Sequence, residues 1–291
     1  DVQAERADFD YPDSAGMRSY RPTLEGHAQM IKRAARLIRE AQRPLILAGH
    51  GVTISGASGE LRELAEKTQV PVVTTLLGIS AFDEAHVLSM GMPGMHGMAY
   101  TNWAIERSDL LIAVGMRFDD RVTGKVDTFA PHARIIHMDI DPTQIGRNVP
   151  VEVAVVGDAK ALLQQLTPMV TNPPRPDWWQ YIANLKHDHP SLNIPASDQL
   201  QAQQVIAALD TLLQEDPETT IVTGVGQHQM WAAQFLSFNQ SDSFVSSGGL
   251  GAMGFELPAA LGVQVAKPGT PVWSVAGDGG CQMTPQEPGP E

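Results

Sequence analysis

The amino-acid sequence predicts an α/β fold, with a doubly wound parallel-sheet central domain followed by the first half of a second α/β domain. Short apolar segments that lack period-2 alternation alternate with amphipathic helical segments, as strands buried on both faces of a parallel sheet require. The 291 residues, 43% of them hydrophobic, exceed what one core usually supports, so two compact units are expected.

The first predicted domain covers residues 26–170 and follows a loop-like connector at residues 1–25, where Pro12, Gly16 and Pro22 occur without a sustained apolar period. Apolar spacing predicts helices in "HAQMIKRAARLIREAQ", "SGELRELAEKTQ", "AYTNWAIERS" and "DAKALLQQL". Buried strands are predicted in "RPLILAG", "VPVVTT", "DLLIAVG", "ARIIHMDI" and "VEVAVVG".

Residues 171–200 are predicted to be an interdomain linker, because three prolines interrupt the pattern and only a short helix around Trp178 to Lys186 is expected. The second domain, residues 201–291, continues with helices in "QQVIAALDTLLQ", "QMWAAQFL" and "LPAALGVQVA". Its three predicted strands are "TTIVTG", "SFVSS" and "PVWSVAG". A three-stranded parallel sheet leaves an edge and a face uncovered, so this domain is expected to be truncated.

Composition excludes several classes of protein. The formal net charge of -13 disfavours nucleic acid as a partner, since a polyanion would be repelled. Cys281 is the one cysteine, which rules out an internal disulfide framework and a cysteine-based structural zinc site. With no apolar run of about 20 residues and no secretory leader in the sequence, we expect no membrane association and a cytoplasmic or organellar (stroma or matrix) location.

The residues that follow the strands are the candidates for ligand binding, because ligands of open parallel sheets bind at the carboxyl ends of the strands. Glycines there let backbone N–H groups approach a pyrophosphate, and a carboxylate can accept from a ribose or ribityl hydroxyl. A glycine after one strand usually marks only a turn, but five such ends in one domain favour a dinucleotide. In the first domain these ends are "GHG" (49–51), "TTLLG" (74–78), "GMRFDDRVTG" (115–124), "DIDP" (139–142) and "GDA" (157–159).

Two loops of the first domain allow more than one interpretation. The loop "GMPGMHGM" (91–98) contains Met and His, which can bind copper, but its irregular spacing favours soft contacts to a flat ring. The segment "RFDDRV" (117–122) is either a solvated ion-pair cluster or part of a site. Its position directly after the most apolar strand favours a site.

In the second domain the strand ends are "GVGQHQ" (224–229), "SSGGLGAMG" (246–254) and "GDGG" (277–280). Asp278 is a reasonable Mg²⁺ ligand, because this ion takes one or two carboxylates and completes its octahedron with phosphate oxygens and water. Asp-Gly is also a common turn. His228 is either a general base or simply the residue that starts a helix.

Taken together and in order, these segments resemble the catalytic large subunit of acetohydroxyacid synthase, also called acetolactate synthase. The resemblance rests on "TTLLGISAFDEAH", "GMHGMAYTN", "DLLIAVGMRFDDRVTGK", "TGVGQHQMWAAQ" and "SSGGLGAMGFELPAALG". It implies an FAD-binding central domain and a domain that binds the diphosphate of thiamine diphosphate with Mg²⁺. It also implies condensation of two 2-oxo acids, pyruvate with pyruvate or 2-oxobutanoate, with loss of CO₂, in branched-chain amino acid biosynthesis.

The resemblance assigns site residues by position. FAD, a structural cofactor in this family, would contact Arg21, Gly49, Gly51, Thr74, Leu76, Met95, His96, Gly115, Arg117, Asp119, Arg121, Asp139 and Asp158. Thiamine diphosphate would be lined by Gly226, Gln227, His228, Gly251, Met253, Gly277, Asp278, Gly279 and Gly280. Of these, Met253, Gln227 and His228 are the candidate catalytic residues, with Met253 holding the cofactor bent, and Asp278 is the candidate metal ligand. The implied parent is a homodimer or homotetramer with a small regulatory subunit.

The sequence also departs from the family pattern. The family's Asn that completes Mg²⁺ coordination and the acid/base Glu of an N-terminal domain have no counterpart, so the chain is expected to be an inactive internal fragment. Glu256 replaces a usual glycine, and Cys281 replaces an aromatic residue. Pro285 and Pro288 are expected to prevent the helix that follows the motif.

Two alternatives remain open at this point. One is a different thiamine diphosphate enzyme, such as a glyoxylate carboligase, a 2-oxo acid decarboxylase or a flavin-reducing pyruvate oxidase, against which "RFDDRVTG" and "GMHG" weigh. The other is a non-catalytic relic that binds a flavin nucleotide.

Overall fold

The structure, a computed structural model, describes residues 4–6, 8, 21–216 and 218–285. Most of the predicted connector and Pro288 therefore lie outside the described residues. The helices are α1 (Ala28–Glu40), α2 (His50–Ile54), α3 (Ser58–Thr68), α4 (Ala99–Arg107), α5 (Asp120–Thr123), α6 (Ala159–Leu166), α7 (Pro176–Asp188), α8 (Ala202–Leu213), α9 (Gln227–Phe235), α10 (Glu256–Ala266) and α11 (Asp278–Met283). The strands are β1 (Pro44–Ala48), β2 (Val72–Thr74), β3 (Leu110–Val114), β4 (Arg134–Asp139), β5 (Val153–Val156), β6 (Thr220–Thr223), β7 (Phe244–Ser246) and β8 (Val272–Val275).

The first five strands form one parallel sheet in the order β2-β1-β3-β4-β5. Alternate residues of each strand enter two different cores. Ile46 and Ile112 pack with α1, α3 and α6 on one face. Leu45 and Leu111 pack with α4 and α7 on the other. Because both faces are covered, the strands are apolar throughout rather than alternating, and the predicted doubly wound α/β fold is confirmed.

Helix α7 lies within the predicted linker, residues 171–200, but it covers part of the central sheet. Its Trp178, Ile182 and Leu185 are buried in the second core of that sheet, and the Trp178 indole N–H donates to Pro44 O at 3.1 Å. Pro176 occupies the first turn, where its missing N–H costs no helical bond. The domain boundaries remain predictions.

The other three strands form a second parallel sheet in the order β7-β6-β8. Helices α8 and α9 cover one face through Ile206 and Ala232, which pack against Ile221 of β6. Helix α10 lies on the other face and leaves much of its apolar surface uncovered, with Val265 83% exposed. Strand β8 is an edge strand, and its Trp273 is 47% exposed.

The two sheets are joined by apolar and polar contacts. Ile79 and Met92, from loops of the first sheet, are buried in the same core as Ile221 of the second. Glu84 and Phe238 exchange two hydrogen bonds across the junction. No helix in the part of the chain that the structure describes is long and apolar enough to cross a lipid bilayer.

Candidate cofactor site

The turn after β1 and the loop after β3 pack so closely that only glycine fits. A side chain on Gly49 or Gly51 would clash with the backbone of Gly115, and Gly51 N donates to Gly115 O at 2.9 Å. Gly115 itself has a φ of 58°, which favours glycine. These three predicted flavin contacts therefore have a structural role at the carboxyl edge of the sheet, where backbone is brought into reach of a ligand.

The methionine-rich loop 91–98 and the "RFDDRV" segment lie against one another. Met95 N donates to Arg121 O at 3.1 Å, and a side chain on Gly94 would clash with the same oxygen. Two motifs that are separated by 18 intervening residues in sequence therefore form one wall. Within the described residues no three His, Cys, Asp or Glu side chains cluster in a way that could hold a metal ion.

This wall borders a cleft of about 670 Å³ between the two sheets. From the first sheet the cleft is lined by predicted flavin contacts: Leu76, His96, Arg117, Asp119 and Arg121. From the second sheet it is lined by Gly226, Gln227 and Gly251, which are predicted contacts of thiamine diphosphate. The fold thus brings both sets of loops to one opening.

Charged side chains at the rim of the cleft are paired but exposed. Arg121 Nη1 lies 2.9 Å from Asp120 Oδ2, and Arg117 Nη2 lies 3.8 Å from Asp119 Oδ2. Exposed pairs of this kind contribute little stability. Their guanidinium groups can therefore turn to a phosphate group at small energetic cost.

The remaining predicted flavin residues differ in their surroundings. Thr74 is buried and its hydroxyl has no partner among the described residues. Burial raises the pKa of Asp139, whose carboxylate accepts from Asp141 N. Asp158 is the N-cap of α6, and its carboxylate accepts from Ala161 N and from the Ser55 hydroxyl. Asp158 is thus already engaged in capping, while Met95 and Arg21 are exposed.

The loops after β6 and β8 meet around His228. Its ring lies beside Gly226 and Gly277, and a side chain on Gly277 would come within 2.9 Å of the ring. Burial lowers the pKa of His228, with Glu256 acting in the opposite direction, so the imidazole is neutral at pH 7. Its Nε2 atom is buried without a partner among the described residues.

Met253 lies against the turn at residues 277–280. Its methyl group is 3.4 Å from where a side chain on Gly279 would begin. Met253 is 49% exposed, so one side of it contacts the turn and the other remains open. Gly249 has open space around the position of a side chain, so a ligand can approach its backbone.

A short helix, α11, begins at Asp278 with Gly277 as its N-cap. The prediction that prolines would prevent a helix here was wrong, because six helical residues precede them and α11 ends at Met283, two residues before Pro285. The Asp278 side chain is exposed at the helix start.

Glu256 is the least expected feature of this site. It is fully buried at the start of α10, and neither carboxylate oxygen has a hydrogen-bond partner among the described residues. It occupies the space beside Gly224 and Gly280, where added side chains would clash with it.

Several residues of the cleft lie within the segments quoted in the sequence analysis but received no individual assignment there. Gln229 is buried and donates to the Ser246 hydroxyl at 2.7 Å, which ties the loop after β6 to β7. Position was the available signal, because each of these residues belongs to a quoted segment. The others are Met92, Pro93, Asp120, Val122, Val225, Met230, Ser247, Gly248, Gly249 and Leu250.

Comparisons with known proteins agree with this arrangement. The model "Thiamine pyrophosphate enzyme, central domain" matches residues 31–166, and "Thiamine pyrophosphate enzyme, C-terminal TPP binding domain" matches residues 224–288.

Similar proteins include acetolactate synthase large subunits. The chain is 46% identical to that of Mycobacterium tuberculosis over 99% of the chain and 47% of the relative. It is 47% identical to that of Corynebacterium glutamicum over 99% of the chain and 46% of the relative. It is 46% identical to a probable large subunit of Methanocaldococcus jannaschii over 99% of the chain and 50% of the relative. The chain therefore spans about half the length of these relatives. On this evidence it belongs to the thiamine pyrophosphate enzyme family and is a homologue of the acetolactate synthase large subunits.

Proposed function

We propose that this chain provides the FAD site and the diphosphate end of the thiamine diphosphate site in an acetolactate synthase large subunit. The proposed reaction condenses pyruvate with a second 2-oxo acid, pyruvate or 2-oxobutanoate, and releases CO₂. One observation carries the proposal: the loops assigned to the two cofactors line opposite walls of the same cleft.

The residues of the first sheet suit a flavin nucleotide. Arg117 and Arg121 line the cleft and can pair with a pyrophosphate, while the glycines at the ends of β1 and β3 are not among its lining residues and would help through the backbone of the adjoining turns. Leu76 and His96 offer apolar and flat contacts to a ring. FAD in this proposal has a structural role.

The residues of the second sheet suit thiamine diphosphate. Open space at Gly249 gives a ligand access to backbone, and Met253 presents an exposed side chain beside the turn that contains Asp278. Thiamine diphosphate, when bound, supplies the carbon that attacks the 2-oxo acid. Met253 would hold the cofactor in its reactive shape, while Gln227 and the neutral His228 would position polar groups at the cleft.

Magnesium fits only together with the diphosphate. Asp278 provides one exposed carboxylate, and Mg²⁺ needs further oxygen ligands from phosphate and water. We therefore expect the 291-residue chain alone to bind thiamine diphosphate weakly and to form no acetolactate. The functional assembly in this proposal is a homodimer or homotetramer with a small regulatory subunit.

A titration followed by flavin fluorescence tests the FAD site. We expect Arg121→Ala to weaken FAD binding about tenfold, as loss of one charge-assisted contact implies. Arg39→Ala, an exposed arginine on α1, is the matched control and should bind FAD as the parent chain does. Equal affinity of the two variants would remove Arg121 from the site.

Calorimetric titration with thiamine diphosphate and Mg²⁺, with an acetolactate assay from pyruvate, tests the second site. Millimolar or weaker binding without product is the expected result. Micromolar binding accompanied by product from this chain would contradict the proposal that its metal site is incomplete.

A further inference from the structure

A second cavity, of about 410 Å³, lies between the two sheets and shares no lining residue with the cofactor cleft. We call it the junction pocket. It is bordered by Glu84, Tyr100 on α4, Lys186 on α7 and the C-terminal end of α9. Nothing in the proposed reaction uses these groups.

One part of the junction pocket is rich in hydrogen-bond acceptors. Glu84 Oε2 accepts from Phe238 N at 2.9 Å. Burial raises the pKa of Glu84 to about 8, so the carboxyl group is protonated at pH 7, and an ammonium group placed beside it would favour the ionised form. The last carbonyl groups of α9 also lie here, and helix C-termini carry partial negative charge. Leu236 N caps Ala232 O, but the next two amides point elsewhere, because Ser237 N donates to Asp210 and Phe238 N to Glu84. This end favours a cation.

The other end is electropositive. Lys186 Nζ donates to Ser89 O at 2.8 Å and lies 5.7 Å from the centre of the Tyr100 ring. None of the ion pairs among the described residues includes Lys186, and burial lowers its pKa. A lysine ammonium has three donors, so two remain for a ligand. This end favours an anion.

We propose that the junction pocket binds a small zwitterion, whose ammonium group contacts Glu84 and the α9 carbonyls and whose carboxylate contacts Lys186 and the Tyr100 hydroxyl. Met98, Leu192 and Phe235 offer apolar contacts to the carbon chain between the charges. A dipolar ligand brings a carboxylate to the Lys186 ammonium group and a cation to the Glu84 carboxyl group at once. A simple cation leaves the Lys186 charge unpaired, and a simple anion brings no cation to Glu84.

Calorimetric titration of the 291-residue chain tests the proposal with matched probes. Alanine carries both charges, propionate lacks the ammonium group, and ethylamine lacks the carboxylate. Glycine, β-alanine and γ-aminobutyrate vary the distance between the charges. We expect at least one zwitterion to bind with a Kd below about 1 mM, and the singly charged probes to bind at least tenfold more weakly.

Variants locate the binding to this pocket. Glu84→Gln keeps an acceptor for Phe238 N, so the junction should stay folded, and Lys186→Met keeps the length of the side chain. Each should weaken zwitterion binding at least tenfold, while Glu63→Gln and Lys125→Met, which change exposed charges elsewhere, should not. FAD affinity should be the same in all four variants.

Three outcomes would overturn the proposal: no zwitterion binds, propionate or ethylamine binds as tightly as the best zwitterion, or the two pocket variants bind like their controls. Unfolding scans of each variant show whether a loss of binding reflects a loss of fold. Rescue of binding by Lys186→Arg, which retains the charge, would support the assigned contact.

Discussion

Glu256 is a carboxylate buried in a place that does not stabilise its charge or its hydrogen-bonding groups. A buried carboxylate without hydrogen bonds is costly, and neither oxygen of this one has a partner among the residues that the structure describes. Because Glu256 is at the first position of α10, replacing it by glycine costs less helical stability than the same change in a helix interior.

We expect Glu256→Gly to stabilise the chain by about 1–3 kcal/mol, the usual cost of an unsatisfied buried polar group. Chemical denaturation followed by circular dichroism measures the change. The matched control is Glu63→Gly on the exposed face of α3, which should destabilise by about 1 kcal/mol. A loss of stability in Glu256→Gly would show that the carboxylate has a partner in solution.

At the scale of elements, Arg175 joins three helices. Its guanidinium donates to Ala41 O, Thr68 O and Ile38 O at 2.8–3.0 Å, and these carbonyls lie at the C-terminal ends of α1 and α3. The residue is 6% exposed and directly precedes α7. One side chain therefore satisfies carbonyls that lack intrahelical donors and fixes α7 against the sheet.

Arg175→Met should lower the free energy of unfolding by about 3 kcal/mol or more, because it leaves buried carbonyls unpaired. The free energy of unfolding of Arg175→Lys should lie between those of the parent chain and Arg175→Met, because a lysine cannot reproduce the several donors of the guanidinium group. Thermal unfolding followed by circular dichroism compares them, with Arg39→Met as the control. Equal melting temperatures for Arg175→Met and the control would rule out the capping role.

At the scale of the whole molecule, the junction between the sheets depends on pH through Glu84. Its folded pKa, about 8, is above the ordinary value of 4.5 because the carboxyl group is buried. The folded chain therefore binds more protons than the unfolded chain between these values. The stabilisation is complete below pH 4.5 and is lost as pH rises through 8.

We expect the melting temperature to fall between pH 6 and pH 9 more steeply for the parent chain than for Glu84→Gln. Scanning calorimetry at several pH values gives both slopes. Glu63→Gln, which alters an exposed carboxylate on α3, should retain the parent slope. Identical slopes for the parent and Glu84→Gln would contradict the raised pKa.

The second sheet and its helix α10 expose several large apolar side chains to solvent. Leu261 and Val265 are exposed one turn apart on α10, and Trp273 is exposed on β8. Exposed apolar side chains that lie close together promote association.

Replacing Leu261 and Val265 together by lysine should reduce self-association and the binding of a hydrophobic dye. Sedimentation velocity and dye fluorescence measure the two effects. The control is Ile54→Lys, at an exposed position on α2, which packs with the first sheet. This change should have little effect on self-association or on dye binding. If the control reduces association as much as the double variant, the exposed face of α10 is not responsible.

The local pattern of the sequence determined the fold class, each of the eight strands and the loops at their carboxyl ends, because strand burial and turn chemistry are properties of short segments. Family resemblance added the assignment of those loops to cofactors. The short helices α2 and α5 went unpredicted, since fewer than two turns give too little apolar periodicity, and α11 formed where the prolines had led us to expect no helix.

Only the tertiary structure decided which segments meet. Glu84, Tyr100 and Lys186 are up to 102 residues apart in sequence, and neither composition nor spacing places them around one cavity. The same holds for the carbonyls that Arg175 caps and for the buried position of Glu256. A side chain's burial and partners depend on contacts between distant segments, and these are fixed only when the helices and sheets pack together.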